Sequence, residues 1–299
     1  GNAIYRGHRL PKDLVGDYLY GETVARSVRR LRPVVTDGLT QLTNVYPRSE
    51  FVRSLDPLFR PVGVANAPDG TVYVADMYRG VIEGGPWVKE GTYLREKIKQ
   101  YQLDKILGGY GRVWRLTYEG MTPDRTKPRM LGETPAQLVA HLSHPNGWWR
   151  DTAQQLLVLK QDRSVVSALQ KIVRSSTNRL ARFHALWTLE GLGSLDAVLA
   201  RQVLKDSDPG MRIQAIRASE SLYKAGDPSF AAEWRTLAES DTDTNVVIQA
   251  MLTLQHLKVP GAAEAVATVR KSRTSRGIEW VADRILNPPA AAGGRGPLL

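Results

Sequence analysis

Two patterns of hydrophobic and polar positions divide the chain. Over residues 1–119, apolar residues alternate with polar ones or form short β-branched runs between turn residues. Residues 61–65 and 71–76 are two such runs, separated by the turn Ala67-Pro68-Asp69-Gly70. Because Gly accepts a positive φ without steric cost, this turn predicts a hairpin. The same reasoning predicts a second hairpin, between residues 17–22 and 27–32, and one further strand over 111–116.

From Thr134 onward the apolar residues recur at helical spacing. Thr134-Pro135 is a helix start, since the missing proline N–H costs nothing in a first turn. Gly and Pro breakers then separate short helical segments. Helices are predicted over 135–143, 148–160, 163–175, 179–192, 195–205, 210–225, 229–239, 244–258, 261–272 and 275–286.

These helical segments repeat. Ala153, Ala185, Ala215 and Ala250 occupy equivalent places and are 32, 30 and 35 residues apart. Helix pairs at a period near 30, with small residues where the helices cross, predict an α-solenoid. The predicted fold class is therefore multidomain, β then α: a partial β-propeller of about two blades, followed by about five HEAT-like helix pairs.

The predicted domains follow from these patterns. They are incomplete C-terminal propeller blades over 1–119, a linker over 120–133, the solenoid over 134–286 and a disordered Pro/Gly-rich tail over 287–299. A closed propeller has at least four blades. We therefore expect the remaining blades in a longer precursor or in another protein chain. Residues 90–107 predict a helical insertion in a connecting loop.

The residue content excludes several chemistries. The 299 residues include no cysteine, so disulfides, cysteine–zinc sites, thiol catalysis and covalent c-type haem attachment are excluded within them. No stretch approaches the roughly 18–20 apolar residues of a membrane helix.

A net charge of +11 raises the question of nucleic-acid binding. The basic residues are spread over both halves, and the one local cluster is Arg26, Arg29, Arg30 and Arg32. A solvated basic surface is favoured over a nucleic-acid groove. A solenoid that binds the DNA backbone would need four arginines to converge on one concave surface: Arg182, Arg212, Arg217 and Arg235.

Several long segments carry a family resemblance: GNAIYRGHRLPKDLVGDYLYGE, FRPVGVANAPDGTVYVADMYRG, GRVWRLTYEG, LSHPNGWWRDTAQQLL and ARFHALWTLEGL. Over residues 1–290 the chain resembles a bacterial family of secreted or membrane-associated dehydrogenase-like proteins. In that family a sugar-dehydrogenase-type propeller precedes HEAT-like repeats, and a c-type cytochrome domain is often attached. The resemblance implies a periplasmic or secreted location, a cytochrome partner, and pyrroloquinoline quinone with calcium as cofactors of the complete propeller.

The candidate cofactor-binding residues are Arg60, Asp76 and Arg79. They lie near the ends of predicted strands, where arginines suit the carboxylates of a quinone cofactor. One hypothesis places all three at the mouth of a propeller channel. The other, which we favour, is that Asp76 and Arg79 form a structural turn pair. No catalytic residue and no metal ligand is assigned.

Histidines and tryptophans give weaker candidates. His8 is expected in a solvent-exposed loop, and His141 with His144 has a spacing that suits a metal, although a role at the helix end is favoured. Trp149 and Trp114 are predicted core residues. Asp206 and Asp208 precede Pro209 and are expected to cap the next helix.

Three functions remain open at this stage. In the first, the chain is the C-terminal part of a periplasmic quinoprotein dehydrogenase for sugars or alcohols, and the solenoid is a protein-interaction scaffold. Alternatively it is a non-catalytic HEAT-repeat binding module, and the third reading is the DNA-binding solenoid. For these 299 residues alone we favour binding over catalysis, because half a propeller cannot preorganise a cofactor.

Overall fold

The computed structural model describes residues 1–82, 84–105, 108–122 and 124–288. Most of the predicted tail, residues 289–299, lies outside this range, as do residues 106 and 107 of the predicted insertion. The chain is β in its first part and α in its second, as the hydrophobic pattern predicts. It forms two compact units, each discontinuous in sequence. The first comprises Gly1–Val34, Gln41–Arg129 and His144–Trp149, and the second comprises Val35–Thr40, Met130–Ser143 and the chain from Arg150.

The strands form two sheets. A five-stranded sheet has the order β1-β2-β3-β4, and β5 also pairs with β3. Its strands are Asn2–Ile4 (β1), Tyr18–Glu22 (β2), Ser27–Thr36 (β3), Leu39–Asn44 (β4) and Val52–Arg53 (β5). An antiparallel three-stranded sheet has the order β6-β7-β8. Its strands are Pro61–Asn66 (β6), Val72–Asp76 (β7) and Arg112–Leu116 (β8).

Both predicted hairpins are confirmed. Tyr18 pairs with Leu31 in the β2–β3 hairpin, and Val64 pairs with Val74 in the β6–β7 hairpin. Gly70 has φ +80° in the turn between β6 and β7, and an added Cβ would lie 2.6 Å from the His8 Nδ1 atom. The turn therefore requires glycine for its conformation and for its close neighbour.

The core of the first unit is built on the inward face of the strands. Its buried residues include Tyr5, Leu19, Val28, Val72 and Val74. The Tyr5 hydroxyl is buried with the ring, donates to the Gly70 carbonyl at 2.7 Å and accepts the Leu10 N–H at 2.9 Å. A polar group taken out of water is thus fully paired.

The helical insertion predicted over 90–107 is shorter in the structure. It comprises one helix, Tyr93–Tyr101 (α1), which the Thr92 side chain caps and which ends at Gln102 in a left-handed conformation. Ile98 on this helix is buried beside Leu58 and Leu103.

Eleven further helices are described in the second part of the chain. They are Pro135–His141 (α2), Gly147–Lys160 (α3), Val166–Ser175 (α4), Arg179–Gly191 (α5), Ala197–Leu204 (α6), Pro209–Ala218 (α7), Glu220–Lys224 (α8), Phe230–Ser240 (α9), Thr244–His256 (α10), Ala262–Ser272 (α11) and Arg276–Leu286 (α12). No helix in the described ranges is long and apolar enough to cross a bilayer.

One predicted helix, over 210–225, is two helices. The break falls at Ser219, which is fully buried. Its hydroxyl donates to the Ile216 carbonyl at 2.9 Å and accepts the indole N–H of Trp234 at 3.1 Å. A serine that bonds back to its own helix competes with the regular ladder, and α7 ends there.

The helices pack as consecutive pairs. α4 lies against α5, α6 against α7, α9 against α10 and α11 against α12. The second members form a row in which α5 contacts α7, α7 contacts α10 and α10 contacts α12. The four aligned alanines are fully buried, as expected of small residues where helices cross: Ala153, Ala185, Ala215 and Ala250.

Candidate functional site

Asp76 and Arg60 are adjacent because of strand register. Asp76 ends β7 and pairs with Pro61 at the start of β6, so Arg60 lies beside it. The Asp76 carboxylate is buried and accepts three N–H groups. Its Oδ1 atom accepts from the backbone of Arg60 and of Tyr78, both at 2.8 Å, and its Oδ2 atom accepts from the Trp114 indole at 3.0 Å. Asp76 therefore joins β8 to the two ends of the β6–β7 hairpin.

The Arg60 guanidinium is buried among backbone carbonyls. Its Nε donates to the Arg79 carbonyl at 2.8 Å and its Nη2 to the Gly80 carbonyl at 2.5 Å. Its Nη1 donates to the carbonyls of Thr23 and Val24 at 3.2 and 3.3 Å. Burial and then the charge of Arg26 lower the Arg60 pKa to about 10, against the opposing effect of Asp76. The side chain is a fixed internal cation that ties the β2–β3 turn to the segment after β7.

Arg79 differs from Arg60 and Asp76, which are both buried. Its side chain is exposed, and it reaches Arg60 only through its main-chain carbonyl. The Asp76 carboxylate accepts the main-chain N–H groups of Arg60 and Tyr78, not a donor of the Arg79 side chain. Tyr78 has a left-handed φ of +48° in this turn. The three predicted residues are thus close in space, but their side chains do not converge on one point.

The donor set of these residues does not fit a quinone cofactor with calcium. Four carbonyls engage four of the five N–H donors of Arg60, and the one that remains is too few for a bidentate carboxylate contact. Both Asp76 oxygens accept N–H groups and are buried, so they are poor candidates for calcium, which prefers several accessible oxygens. Within the described ranges no group of three or more His, Asp or Glu side chains has a metal-binding arrangement.

His8 is not the exposed loop residue that the sequence predicts. Its side chain is 19% exposed, and its Nε2 atom lies 3.5 Å from the Asp124 carboxylate. Its ring meets that of His144 edge-on at 5.7 Å. Burial, and then the charge of Arg9, lower the His8 pKa, while Asp124 opposes both. The prediction fails because three segments distant in sequence cover this histidine.

His141 and His144 have separate surroundings. His141 Nε2 lies 2.8 Å from Glu133 Oε2 in the second unit. His144, in the first unit, accepts the Asn146 N–H at 3.0 Å through Nδ1 and stacks on Trp149 at 5.2 Å. Each imidazole is accounted for by local structure.

Asn146 has a structural role that the sequence pattern does not predict, since the pattern shows it only as part of a break between two helices. It is fully buried, and its Nδ2 donates to the carbonyls of Ala67 and Pro68 at 2.9 and 3.1 Å. Trp149 is buried, as predicted, and its indole donates to the Pro68 carbonyl at 2.9 Å. Trp114 is 45% exposed, so its prediction as a core residue is wrong.

Arginine–aspartate pairs connect successive helix pairs of the second unit. Arg182 on α5 binds Asp206, which accepts the Asp208 N–H at 2.9 Å, and Asp208 caps α7 as predicted. At the next helix pair, Arg212 on α7 binds Asp241 through two bonds of 2.7 and 2.8 Å, and Asp243 caps α10. We call this recurring arrangement the D-x-D device, with its members Arg182, Asp206, Asp208, Arg212, Asp241 and Asp243.

The four arginines of the DNA-binding hypothesis all have internal partners. Arg182 and Arg212 belong to the D-x-D device. Arg217 lies over the Trp187 ring at 5.6 Å, and Arg235 donates to the Pro260 carbonyl. Arg182 and Arg212 use their donors within the second unit, whereas Arg217 is exposed and no described residue engages its N–H groups in a hydrogen bond, so the four side chains do not form one set of available phosphate donors.

A polar row crosses the helix pairs on the α5-α7-α10 side. His184 Nδ1 lies 2.7 Å from Gln154 on α3, and the Trp187 indole donates to Gln214 on α7 at 2.8 Å. Thr253 on α10 donates to Glu220 on α8 at 2.7 Å. These half-buried bonds, which we call the polar row, link α3, α5, α7, α8 and α10.

Comparison with known proteins gives one match. The family described as "Domain of unknown function (DUF7133)" matches residues 1–120, which is the β part of the chain and less than half of its length. No curated protein matches the chain. No solved structure matches it either.

Proposed function

We propose that the chain is a protein-interaction scaffold within a periplasmic dehydrogenase-like protein, and that its own residues are non-catalytic. The observation that supports this most directly is the row of helix pairs joined by the D-x-D device. Such a row supports a HEAT-like α-solenoid, a fold that presents an extended surface built from successive repeats.

The polar row is the surface that we propose for the partner. Its bonds are half-buried, and two exposed residues lie close to its members: Arg217, whose guanidinium lies over the Trp187 ring, and Leu252, which precedes Thr253 in the chain. Polar and aromatic groups beside scattered apolar residues are the composition of a non-obligate protein interface. A c-type cytochrome is the partner that the family resemblance implies.

We propose further that the two sheets are blades of a β-propeller. The β6-β7-β8 sheet has three strands, one fewer than a propeller blade. β6 packs against β1 and β2, whereas four of the five residues of β8 are exposed. A fourth strand, from the remaining blades or from another protein chain, would pair with β8 and remove this open edge. The pyrroloquinoline quinone and calcium of such a complete propeller would then be bound by residues other than Arg60 and Asp76.

Site-specific photo-crosslinking tests the scaffold proposal. A benzophenone amino acid replaces Arg217 or Leu252 beside the polar row, and Val198 on α6, which is 74% exposed, is the control. We expect both test positions to give an adduct with the same protein in cells that make the full protein, and the control to give none. Haem staining of the adduct tests the cytochrome assignment. Equal adducts from all three positions, or none from any, would refute the proposal.

A further inference from the structure

A cavity of about 330 Å³ lies in the first unit, between the β2–β3 turn, the segment after β7 and helix α1. Its size is at the lower end of the ~300–1,000 Å³ that is typical of small-molecule sites. Its walls are mainly apolar and comprise Val24, Val81, Ile82, Leu94 and Ile98.

Two arginines form one end of this cavity. Arg60 is 5% exposed and engaged by four carbonyls, as described above. Arg26 has φ +57° in the β2–β3 turn, and its Nε donates to the Pro57 carbonyl at 2.9 Å. That bond orients the guanidinium. Among the residues that the structure describes, no hydrogen bond engages the two Nη groups of Arg26.

The charge at this end is not balanced by the cavity lining. Asp76 is the carboxylate whose charge raises the pKa of Arg60. Its oxygens accept the N–H groups of Arg60, Tyr78 and Trp114. The described lining residues include no carboxylate. Among the described residues, the two arginines therefore bring more positive than negative charge to this end of the apolar chamber, and a bound anion stabilises such an excess.

We propose that this cavity binds a small monocarboxylate with an apolar body. The carboxylate pairs with the Nη groups of Arg26, a geometry that favours strong charge-assisted bonds. The aliphatic or aromatic part lies among the apolar walls, where Ile98 and Leu94 of α1 form one side. This site is independent of the scaffold surface on the second unit and goes beyond the function proposed above.

Titration calorimetry with hexanoate tests the site on the 299-residue chain. Hexanoate should bind saturably with a Kd of roughly 0.1–1 mM. 1-Hexanol, which lacks the charge, and citrate, which lacks the apolar body, should each bind at least about tenfold more weakly. Hexanoate binding that is absent, or that is no tighter than that of either comparison compound, would overturn the proposal.

Variants then locate the site. Arg26→Gln should weaken hexanoate about tenfold or more and leave 1-hexanol unchanged. Arg29→Gln is the matched control, since Arg29 pairs with Glu50 on the surface and should stay within about twofold of the parent. Ile82→Trp should block both ligands by filling the chamber. Circular dichroism checks folding. If Arg26→Gln does not fold, Ile82→Trp decides, because unchanged hexanoate affinity in that variant places the ligand elsewhere and overturns the proposal.

Discussion

Replacement of Asp76 by Asn tests whether this carboxylate is structural. The side chain is 3% exposed and accepts N–H groups from Arg60, Tyr78 and Trp114. An asparagine of nearly the same shape has one acceptor oxygen in place of two. When its oxygen faces the two backbone donors, its amide faces the indole N–H of Trp114, and two donors oppose each other.

The expected cost follows from these three bonds. Loss of a hydrogen bond to a charged acceptor costs about 1.5–3 kcal/mol, and the two remaining bonds weaken because their acceptor becomes neutral. The total is about 3 kcal/mol. The change also removes the charge of Asp76, which raises the pKa of Arg60, so the buried guanidinium is less well compensated.

Hydrogen exchange measures this effect locally. A destabilisation of about 3 kcal/mol should accelerate exchange of the Arg60 and Tyr78 amides by roughly a hundredfold, since each 1.4 kcal/mol is a factor of ten. Glu119→Gln makes the same change of charge at an exposed position and should alter stability by less than about 0.5 kcal/mol. Unchanged protection in Asp76→Asn would refute the structural role and favour a ligand-binding one.

Three further predictions concern other buried polar groups. Asp17→Ala removes the 2.6 Å partner of buried Arg30 and should destabilise the first unit by about 3–5 kcal/mol in urea unfolding, whereas a change below about 1 kcal/mol would contradict a buried ion pair. Burial acts to raise the pKa of Asp206, but the hydrogen bonds from Arg182 and the Asp208 N–H, with the charges of Arg182 and Arg212, together outweigh it, so the pKa is lowered. The unfolded chain therefore binds more protons in acid, and stability should be full above about pH 4 and fall as the pH drops through the lower folded value. Asp206→Asn should flatten that acid limb in pH-dependent unfolding, and an unaltered limb would exclude this pair as its source. Asn146→Ala removes two hydrogen bonds, to the Ala67 and Pro68 carbonyls, and should cost about 1–3 kcal/mol, measurable as a lower unfolding midpoint, whereas an unchanged midpoint would show that these bonds contribute little.

Local signals in the sequence account for most of the secondary structure. The Asp-Gly turn fixes the β6–β7 hairpin, and the Gly and Pro breakers place nearly every helix boundary within a few residues. These features depend on neighbours along the chain, so one sequence suffices to predict them. The exception at Ser219 has a tertiary cause, because the helix break there involves the indole of Trp234.

Long-range contacts account for what the sequence did not predict. Arg60 and Asp76 were identified as chemically important, but a pattern of residue types cannot show that carbonyls from two other segments already engage the guanidinium. The burial of His8 has the same origin, since Asp124 is 116 residues away. β1, β4 and β5 are too short or too exposed to produce a clear alternation.

The arginine cluster shows why net charge is a poor guide to a binding surface. Arg30 is buried, and burial acts to lower its pKa. Hydrogen bonds to Asp13, Tyr46 and Asp17 outweigh burial and raise the pKa. Arg32 also binds Asp17, and Arg29 pairs with Glu50. A formal charge counts ions, whereas recognition of an anion requires donors that the fold leaves available. Arg26 and Arg29 both have Nη groups that no described residue engages, but Arg26 is the member of the cluster that lines an apolar cavity. The proposed anion site is therefore at Arg26, and the apolar surroundings of this residue favour a ligand with an apolar body over a nucleic acid.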